Sequence, residues 1–373
     1  MNDFVIKVES LFNGDALLHK QQITIKNGLI ESIEPLADND NDFKSGTLVP
    51  GLIDVQVNGG GGYLFNQTPD VETLIKIGEA HQKFGTTGWL PTLVTDSISK
   101  MQEAADAIAK ARKQQVGGIL GVHFEGPHLS VEKRGVHSKE LIRRLTDAEK
   151  QLFTRKDLGK VVVTLAPENV APELISELVS EGVLVCLGHS NADCATTQKA
   201  LKAGATGFTH LFNAMSAYTS REPGMIGAAL LDKASYAGLI LDGIHVHPDT
   251  AKLALQQKEN IMLVTDAMPP VGVDQTSFEF FGHSVIREGD KLTDREGRLA
   301  GSVLDMIGAV NNAITMLDID LTHAINLASK NPAKFLGLSD QYGSLKVGAK
   351  ASMLLLDQAN VIQSSWIDGK NVI

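Results

Sequence analysis

The chain is poor in cysteine and in aromatic residues. It has two cysteines, Cys186 and Cys194, among 373 residues, and aromatic side chains make up 5% of its composition. Two thiols cannot supply a disulfide framework for a chain of this size. We therefore expect both cysteines to be free and buried, with zinc ligation as the alternative.

Long apolar runs and secretion signals are missing as well. No stretch of about eighteen apolar residues occurs, which argues against a membrane-spanning helix. The first residues, 1–7, have neither the basic nor the apolar segment of a signal peptide. These absences predict a soluble protein of the cytoplasm that has no membrane partner.

Positive charge is also scarce. The chain has 34 lysines and arginines against 44 acidic residues, and its formal net charge is −10 at pH 7. No basic run offsets this charge locally, so nucleic acid and acidic membrane surfaces are excluded as partners. A small anionic substrate remains compatible with the sequence if its binding site is locally positive.

The two ends of the chain have the same β-rich pattern. Short β-favouring runs alternate with the turn signals Asn13-Gly14 and Asn27-Gly28 near the start, and a similar pattern fills the last thirty residues. Neither end has enough apolar positions for a core of its own. We predict that residues 1–49 and 338–373 pair into one small antiparallel β-domain of the sandwich type, around a contiguous domain of residues 50–337.

The middle of the chain alternates strand-like apolar runs with amphipathic helical stretches. Eight parallel strands with intervening helices predict a closed (β/α)8 barrel. A doubly wound open sheet fits the alternation too, but no Gly-x-Gly-x-x-Gly follows the first strand. The eight predicted strands are Leu52–Val57, Gly88–Val94, Ile119–Phe124, Val161–Leu165, Val183–Leu187, Gly207–Leu211, Ala237–Leu241 and Ile261–Thr265.

Histidines collect at the ends of these strands. The loops that follow the strands of a β/α barrel form its active-site face, so this placement favours function over packing. Of the 11 histidines, the seven in this position are His123, His128, His137, His189, His210, His245 and His247.

Three strand ends together predict a metal site. Glu125 ends the third strand, His189 follows the fifth and His210 lies in the sixth. Each residue alone would more often be a structural carboxylate or a buried hydrogen-bonded ring. One carboxylate and two imidazoles from nearby strands are, however, ligands of a divalent metal that keeps a position open for water.

The eighth strand ends in a lone acid, Asp266, after four apolar residues. An aspartate at this place could take a proton from the attacking water and deliver it to a leaving nitrogen. The alternative is an N-cap of the next element.

Six ordered motifs give the chain a specific resemblance. It is similar to the N-acetylglucosamine-6-phosphate deacetylases of the amidohydrolase superfamily, from Pro50-Gly51-Leu52-Ile53-Asp54 at the barrel entry to Asn331-Pro332-Ala333 near its exit. The motifs are His-x-Glu-Gly-Pro at 123–127, Gly-His-Ser-Asn at 188–191, Thr-His-Leu-Phe-Asn-Ala-Met at 209–215, Arg-Glu-Pro-Gly at 221–224, Asp-Gly-Ile-His at 242–245 and Val-Thr-Asp-Ala at 264–267.

The resemblance implies a role for each site residue. Glu125, His189 and His210 would bind the metal, Asp266 would be the catalytic acid and base, and His137 would face the acetyl carbonyl as a second catalytic group. It also implies a homodimer in which Arg221 serves the neighbouring subunit. The residues implied to contact the substrate are Gln56, His137, Asn213, Ala214, Arg221 and His245.

The residues themselves leave some of these roles open. Arg221 could supply the local cation that a phosphate needs in a protein of net charge −10, or it could form a surface ion pair with Glu222. His137 and His245 could be solvated loop residues. His123 lies on the same side of its strand as Glu125 and could support it, whereas His128 could be a loop residue only.

One departure from the wider superfamily bears on the metal. Many members carry His-x-His after the first strand and bind a second metal there, but the equivalent residues here are Gln56-Val57-Asn58. An amide is a poor ligand for a transition metal, so we expect one divalent metal ion per subunit. Zinc is the expected metal, and iron or cobalt would suit the same ligands.

The predicted reaction is the hydrolysis of N-acetyl-D-glucosamine 6-phosphate to D-glucosamine 6-phosphate and acetate. The alternative substrate is N-acetyl-D-galactosamine 6-phosphate. A cyclic-amide hydrolase or nucleobase deaminase on the same fold is a weaker alternative, because Asn213 and Arg221 are present and the first-strand His-x-His is absent. A non-catalytic binding protein ranks last, because no ligand and no acid is missing.

Overall fold

The computed structural model describes residues 3–37 and 39–373. Strands are spread along the whole of this part of the chain. They are β1 (Phe4–Phe12), β2 (Leu17–Lys26), β3 (Leu29–Pro35), β4 (Lys44–Pro50), β5 (Leu52–Val57), β6 (Gly59–Gly60), β7 (Tyr63–Leu64), β8 (Thr86–Val94), β9 (Gly121–Glu125), β10 (Lys160–Leu165), β11 (Leu184–Leu187), β12 (Gly207–Phe208), β13 (Tyr236–Leu239), β14 (Ile261–Leu263), β15 (Ser277–Phe280), β16 (His283–Glu288), β17 (Lys291–Thr293), β18 (Met353–Leu356), β19 (Ile362–Ile367) and β20 (Lys370–Asn371).

Helices separate the central strands. Several of them begin at an acidic N-cap whose carboxylate accepts a backbone N–H of the first turn, as Asp70, Asp193 and Asp305 do. Within the described residues, no helix has the length and apolar character needed to cross a membrane. The α-helices are α1 (Val71–Gln82), α2 (Ile98–Lys113), α3 (Asp147–Phe153), α4 (Pro172–Ser180), α5 (Cys194–Lys202), α6 (Gly224–Leu231), α7 (Pro248–Gln257), α8 (Met306–Leu317), α9 (Leu321–Ala328) and α10 (Lys330–Phe335).

The central strands form the predicted barrel. Eight parallel strands lie in the order β14-β13-β12-β11-β10-β9-β8-β5. A parallel bridge between Val57 and Ala267 and a hydrogen bond from Asp266 N to Gln56 O (3.0 Å) join the two outer strands and close the barrel. Strands such as β5 and β8 are buried along their whole length because side chains and helices cover both faces. The predicted fold class is confirmed.

Several strands are shorter than the sequence predicts, and two of them end just before a residue of the predicted site. β12 ends at Phe208 rather than Leu211, and β14 ends at Leu263 rather than Thr265. His210 and Asp266, which follow them, have φ angles of 33° and 52°. This left-handed backbone cannot continue a strand, so both residues leave the barrel wall just where the sequence predicts function.

The two chain ends meet in one seven-stranded sheet with the order β20-β19-β18-β4-β1-β2-β3. The expected antiparallel pairing is wrong for one pair, since β1 and β4 run parallel. The sheet folds over its own apolar core, which brings Phe4 onto Trp366 with ring centroids 6.2 Å apart. The division into residues 1–49 with 338–373 and 50–337 stays a prediction.

A three-stranded antiparallel sheet of β15, β16 and β17 follows β14 and was not predicted. Its apolar side chains, among them Phe278, Phe280 and Val285, pack on Leu64 and Met268 at the carboxyl end of the barrel. The alternation of exposed and buried residues in β15 is the sequence signal that could have revealed it. This sheet carries residues to the mouth of the cavity described below.

Candidate active site

The three predicted metal ligands meet inside the carboxyl end of the barrel. The Nε2 atoms of His189 and His210 lie 3.2 and 3.0 Å from Oε1 of Glu125, and 3.0 Å from each other. All three side chains are buried, and their ligand atoms lie within 4.8 Å of one another. Two imidazole nitrogens and a carboxylate oxygen facing one point form a donor set that fits zinc and similar divalent metals.

The outer ring nitrogen of His189 supports the same arrangement. His189 Nδ1 donates to the carbonyl oxygen of Lys133 (2.8 Å), which leaves Nε2 of a neutral ring free to bind a metal. His189 also has a left-handed backbone, with φ of 46°. Backbone conformations of this kind cost free energy and are typical of functional sites, where the surrounding fold holds them in place.

The pKa values reflect how closely these groups are held. Burial would raise the pKa of Glu125, but the contacts of its carboxylate with the His189 and His210 rings outweigh this effect and leave that pKa well below its usual range. Burial lowers the pKa of His210, yet the Glu125 carboxylate raises it more, and the net shift is upward. The carboxylate therefore stays ionised and available as a ligand.

Asp266 lies beside this cluster and is held by two amides. Asn58 Nδ2 donates to Asp266 Oδ1 at 2.6 Å, and Gln56 Nε2 donates to the same oxygen at 3.1 Å. Gln56 Nε2 also lies 3.2 Å from Glu125 Oε1. Burial, and then the charge of Glu125, raise the pKa of Asp266 to about 6. A carboxylate with a pKa near the working pH can both accept and return a proton.

Asn58 is a functional residue that the sequence analysis left without a role. It makes the shortest hydrogen bond to Asp266, and its own Oδ1 is buried without a partner in the described residues. The alternative role of Asp266 as an N-cap receives no support, because its side chain accepts from the amides of Gln56 and Asn58. The sequence signal for Asn58 was its spacing: it follows β5 directly and stands two residues after Gln56, so both side chains point to the same side.

His137 faces the same cluster from the loop after β9. Its ring centroid lies 4.4 Å from that of His189, and Nδ1 lies 2.9 Å from Thr95 Oγ1. Burial, together with the neighbouring His189, lowers the pKa of His137 to about 3. The ring is therefore neutral at physiological pH, and it is buried rather than solvated.

A cavity of about 380 Å³ opens above these residues. Its volume falls in the range of small-molecule sites. Besides the predicted metal ligands, His137 and Asp266, it is lined by three of the predicted substrate contacts, Asn213, Ala214 and His245. It is also lined by basic residues that the sequence analysis missed, namely Lys133, Arg134 and Arg298.

The substrate contacts differ in how firmly they are held. His245 is fixed by Asp242, whose Oδ2 lies 2.6 Å from its Nδ1. Gln56 lies beneath the cavity, where it touches Glu125 and Asp266 instead of lining the wall. Arg221 is exposed and lies outside the residues that line the cavity of its own chain. Its neighbour Glu222 accepts from the backbone N–H groups of Cys194 and Gly224.

The two remaining histidines of uncertain role are buried. His123 Nδ1 lies 3.1 Å from the carbonyl oxygen of Val55, and Nε2 lies 2.7 Å from Thr164 Oγ1. His128 Nδ1 lies 3.1 Å from the carbonyl oxygen of Arg143. Burial lowers the pKa of each ring to about 4. Both rings are neutral at physiological pH. His123 lies in β9, whereas His128 follows that strand and packs on Phe153 of α3, and neither is among the residues that line the cavity.

The cysteines take no part in this cluster. Both are free thiols, with Cys186 buried and Cys194 half-buried. Among the described residues, the one group that could hold a metal ion is Glu125, His189 and His210.

Comparison with known proteins connects this geometry to a family. The family model described as the amidohydrolase family matches residues 47–372. The chain belongs to the amidohydrolase family. As an amidohydrolase it is a metal-dependent hydrolytic enzyme that acts on an amide, and the Glu125, His189 and His210 cluster is its candidate metal site.

The amidohydrolase is similar to sugar-phosphate deacetylases along most of its length. It is 53% identical over 328 residues to the N-acetylgalactosamine-6-phosphate deacetylase of Shewanella sp. (strain ANA-3), covering 87% of this chain and 83% of the relative. It is 32% identical over 357 residues to the N-acetylglucosamine-6-phosphate deacetylase of Haemophilus influenzae, covering 93% of each. A crystal structure of the N-acetylglucosamine-6-phosphate deacetylase of Pasteurella multocida superposes with a TM-score of 0.94 at 33% identity, over 99% of both chains.

Proposed function

We propose that this amidohydrolase removes the acetyl group of N-acetyl-D-glucosamine 6-phosphate and releases D-glucosamine 6-phosphate and acetate. The observation that carries the proposal is that one amide, Gln56, touches both Asp266 and Glu125 at the floor of a cavity of about 380 Å³. This contact sets a proton-transferring acid beside a metal-ligand cluster in a cavity of suitable size. The deacetylases to which the chain is similar support the choice of substrate.

We propose one divalent metal per subunit, held by Glu125, His189 and His210, with zinc as the expected ion and iron or cobalt as alternatives. When bound, the metal would polarise the acetyl carbonyl and acidify the attacking water. We propose a single metal because Gln56 and Asn58 stand where the wider superfamily carries His-x-His, and both direct amide N–H groups, which are not metal ligands, at the Asp266 carboxylate.

Asp266 carries the proton in the proposed reaction. With a pKa of about 6 it is mostly ionised at neutral pH and can take the proton of the attacking water. It then returns this proton to the nitrogen of the sugar as the carbon–nitrogen bond breaks. Asn58 and Gln56 fix the carboxylate during both transfers, because each donates to Oδ1.

His137 acts as the hydrogen-bond donor to the acetyl oxygen. The Thr95 hydroxyl lies 2.9 Å from Nδ1 of His137 and 3.3 Å from the carbonyl oxygen of Glu125. When it turns from that carbonyl to donate to Nδ1, the neutral ring carries its proton on Nε2 and can offer it to the developing oxyanion. The low pKa of His137 supports this role, because a neutral donor does not repel a metal cation nearby.

Substrate recognition is proposed for residues around the cavity wall. Asn213, Ala214 and His245 line the cavity and would contact the sugar phosphate. Arg221 is exposed and outside that wall, which supports the proposal that it reaches the phosphate of a neighbouring subunit in a homodimer. We further propose that the dimer works in the cytoplasm, where phosphorylated sugars are kept.

The galacto epimer is a second candidate substrate. The relative from Shewanella, at 53% identity, is an N-acetylgalactosamine-6-phosphate deacetylase, whereas the N-acetylglucosamine-6-phosphate deacetylase of Haemophilus is 32% identical. The two sugars differ in the orientation of one hydroxyl, so either could place its acetamido group beside Asp266.

Acetate release by the metal-loaded enzyme tests the proposal. The assay compares both epimers with unphosphorylated N-acetylglucosamine, and a chain with Arg221→Met serves to test the phosphate contact. We expect phosphate-dependent turnover, and the ratio of kcat/KM values identifies the preferred epimer. Release from neither phosphorylated sugar would overturn the proposal and redirect the search to cyclic amides and nucleobases.

A further inference from the structure

A second cavity lies at the opposite end of the barrel. It measures about 440 Å³ and is bordered by residues at or just before the start of β9, β10 and β11, including Leu120, Lys160 and Val183. Because the strands are parallel, the amino ends meet at one face and the carboxyl ends at the other. This second cavity, here called the amino-end cavity, therefore shares no wall residue with the candidate active site.

Basic side chains dominate the charge of the amino-end cavity. Four of them line it, in a protein whose formal net charge is −10. Two are already neutralised: Arg155 is paired with Asp106 and Asp157, and Lys156 is paired with Glu181 at 3.3 Å. These ion pairs also engage the one carboxylate of the cavity wall, that of Glu181.

The other two cations, Arg112 and Lys160, are less fully compensated. The charge of Asp157 acts on Arg112, but from beyond ion-pair distance. In the part of the chain that the structure describes, neither has a carboxylate oxygen within 4.0 Å of its side-chain nitrogens. Arg112 Nη1 donates to the carbonyl oxygen of Ile119 at 3.1 Å, while its Nε is buried without a partner. A half-buried guanidinium with an unused donor is costly unless a counter-ion completes its hydrogen bonds.

The position of Arg112 is built into the backbone. The guanidinium lies against Gly159, where an added Cβ would come within 2.5 Å of both Cζ and Nη1. Gly159 has φ of 80°, which favours glycine. A side chain at residue 159 would push the guanidinium away, so this glycine lets the charge sit at the floor of the cavity beside the first residue of β10, Lys160.

We propose that the amino-end cavity binds the phosphate group of a small molecule between Arg112 and Lys160. Two cations from separate elements match the charge of a phosphate dianion better than that of a carboxylate. The planar guanidinium supplies paired donors, and the lysine supplies a point charge. This site is independent of the proposed deacetylase reaction, because it lies at the other end of the barrel.

Protection of Lys160 from acylation tests the site directly. The metal-loaded protein is treated with a succinimidyl ester, with and without inorganic phosphate, and each lysine is followed by peptide mass spectrometry. We expect phosphate to slow the acylation of Lys160 and to leave Lys291, exposed on the sheet at the other end of the barrel, unchanged. Equal rates at Lys160 with and without phosphate would overturn the proposal, whatever the active site binds.

Variants assign the binding to the two free cations. Arg112→Gln should raise the phosphate concentration that half-protects Lys160 by about tenfold or more, because a charged hydrogen-bonding partner is lost. The matched control Lys156→Gln removes a cation that is already paired with Glu181 and should change this concentration less than about twofold. Equal effects of the two variants would contradict the assignment to Arg112.

The ligand class is tested by the choice of anion. Inorganic phosphate and glucosamine 6-phosphate should both protect Lys160, and acetate at the same concentration should not. Protection by acetate to the same extent would overturn the assignment to phosphate. Lys160→Gln tests the site without acylation. The protein should lose one calorimetric phosphate site and keep its thermal stability, since within the described residues the Lys160 ammonium group makes no hydrogen bond or ion pair.

Discussion

The carboxyl end of the barrel and the seven-stranded terminal sheet bury their side chains in different ways. The core of the terminal sheet is apolar, and Ile23, Ile25 and Leu48 in it are fully buried. At the carboxyl end of the barrel the polar groups include the buried Glu125 and the half-buried Asp266, whose pKa values are shifted in opposite directions. The apolar core of the terminal sheet stabilises the fold, whereas the burial of polar groups at the carboxyl end of the barrel lowers its stability.

The difference shows where function is to be sought in this molecule. Buried polar groups cost free energy unless they are paired, and the fold accepts this cost where chemistry needs it. Left-handed backbone at His189, His210 and Asp266 adds to the cost in the same place. Substitutions in the two regions should therefore separate activity from stability, and the following predictions test that separation.

The largest effect is expected for Asp266→Asn. Loss of the proton-transferring carboxylate should lower kcat by about 10³-fold, within the range for a general acid or base. Metal content and the unfolding midpoint should change little, because an amide fills the same space. Initial rates of acetate release measure the effect, and Asp320→Asn, at an exposed N-cap, is the matched control. A variant with near-normal kcat would remove Asp266 from the mechanism.

A comparable loss of kcat is expected for Glu125→Gln, because this variant should bind the metal poorly. The neutral amide is a poor ligand, so the purified variant should retain little of the metal that the unaltered protein carries. Elemental analysis after dialysis measures this content. Gln56→Leu is a useful contrast, since it removes a hydrogen bond to Glu125 Oε1 and leaves all three ligands in place. Full metal content in the Glu125 variant would show that the ion lies elsewhere.

Leu48→Ala in the terminal sheet is expected to lower stability and to leave activity nearly unchanged. Emptying this fully buried position should lower the free energy of unfolding by about 2–5 kcal/mol, as similar core truncations do. The kcat of the folded variant should stay within about twofold of normal. Denaturant titration and steady-state kinetics give the two values, and a large fall in kcat without a loss of stability would break the comparison.

A smaller, pH-dependent effect is expected for His81→Gln. Burial lowers the pKa of His81 to about 4, whereas the unfolded chain binds the same proton near pH 6.5. Stability from the neutral ring is therefore complete above pH 6.5 and is lost as the pH falls towards 4, by about 3 kcal/mol at most.

Unfolding midpoints between pH 4 and 8 test this effect. The curve of the His81→Gln variant should fall less steeply towards acid than that of the unaltered protein. The exposed His283→Gln variant should follow the unaltered curve. Parallel curves for all three proteins would show that His81 does not contribute to the loss of stability in acid.

The sequence predicts much of this molecule because its signals are local. Each barrel strand is a short apolar run, and Glu125, His189 and Asp266 stand at or just after strand ends, where the parallel topology must bring them to one face. The candidate metal group could thus be named before any distance was known. The expected antiparallel pairing was wrong for β1 and β4, which run parallel. The direction of β4 depends on where the chain crosses the sheet, and no local sequence pattern predicts that crossing.

What the sequence by itself determined is the barrel, the terminal strands and the residue types of the site, since these follow from apolar periodicity, turn residues and motif spacing. Only the tertiary structure decided that Asn58 holds Asp266, that Arg221 lies outside its own cavity, and that Arg112 and Lys160 share a second one. These facts depend on contacts between segments that are distant along the chain. Such contacts are fixed by how the whole core packs and have no signature in any one segment.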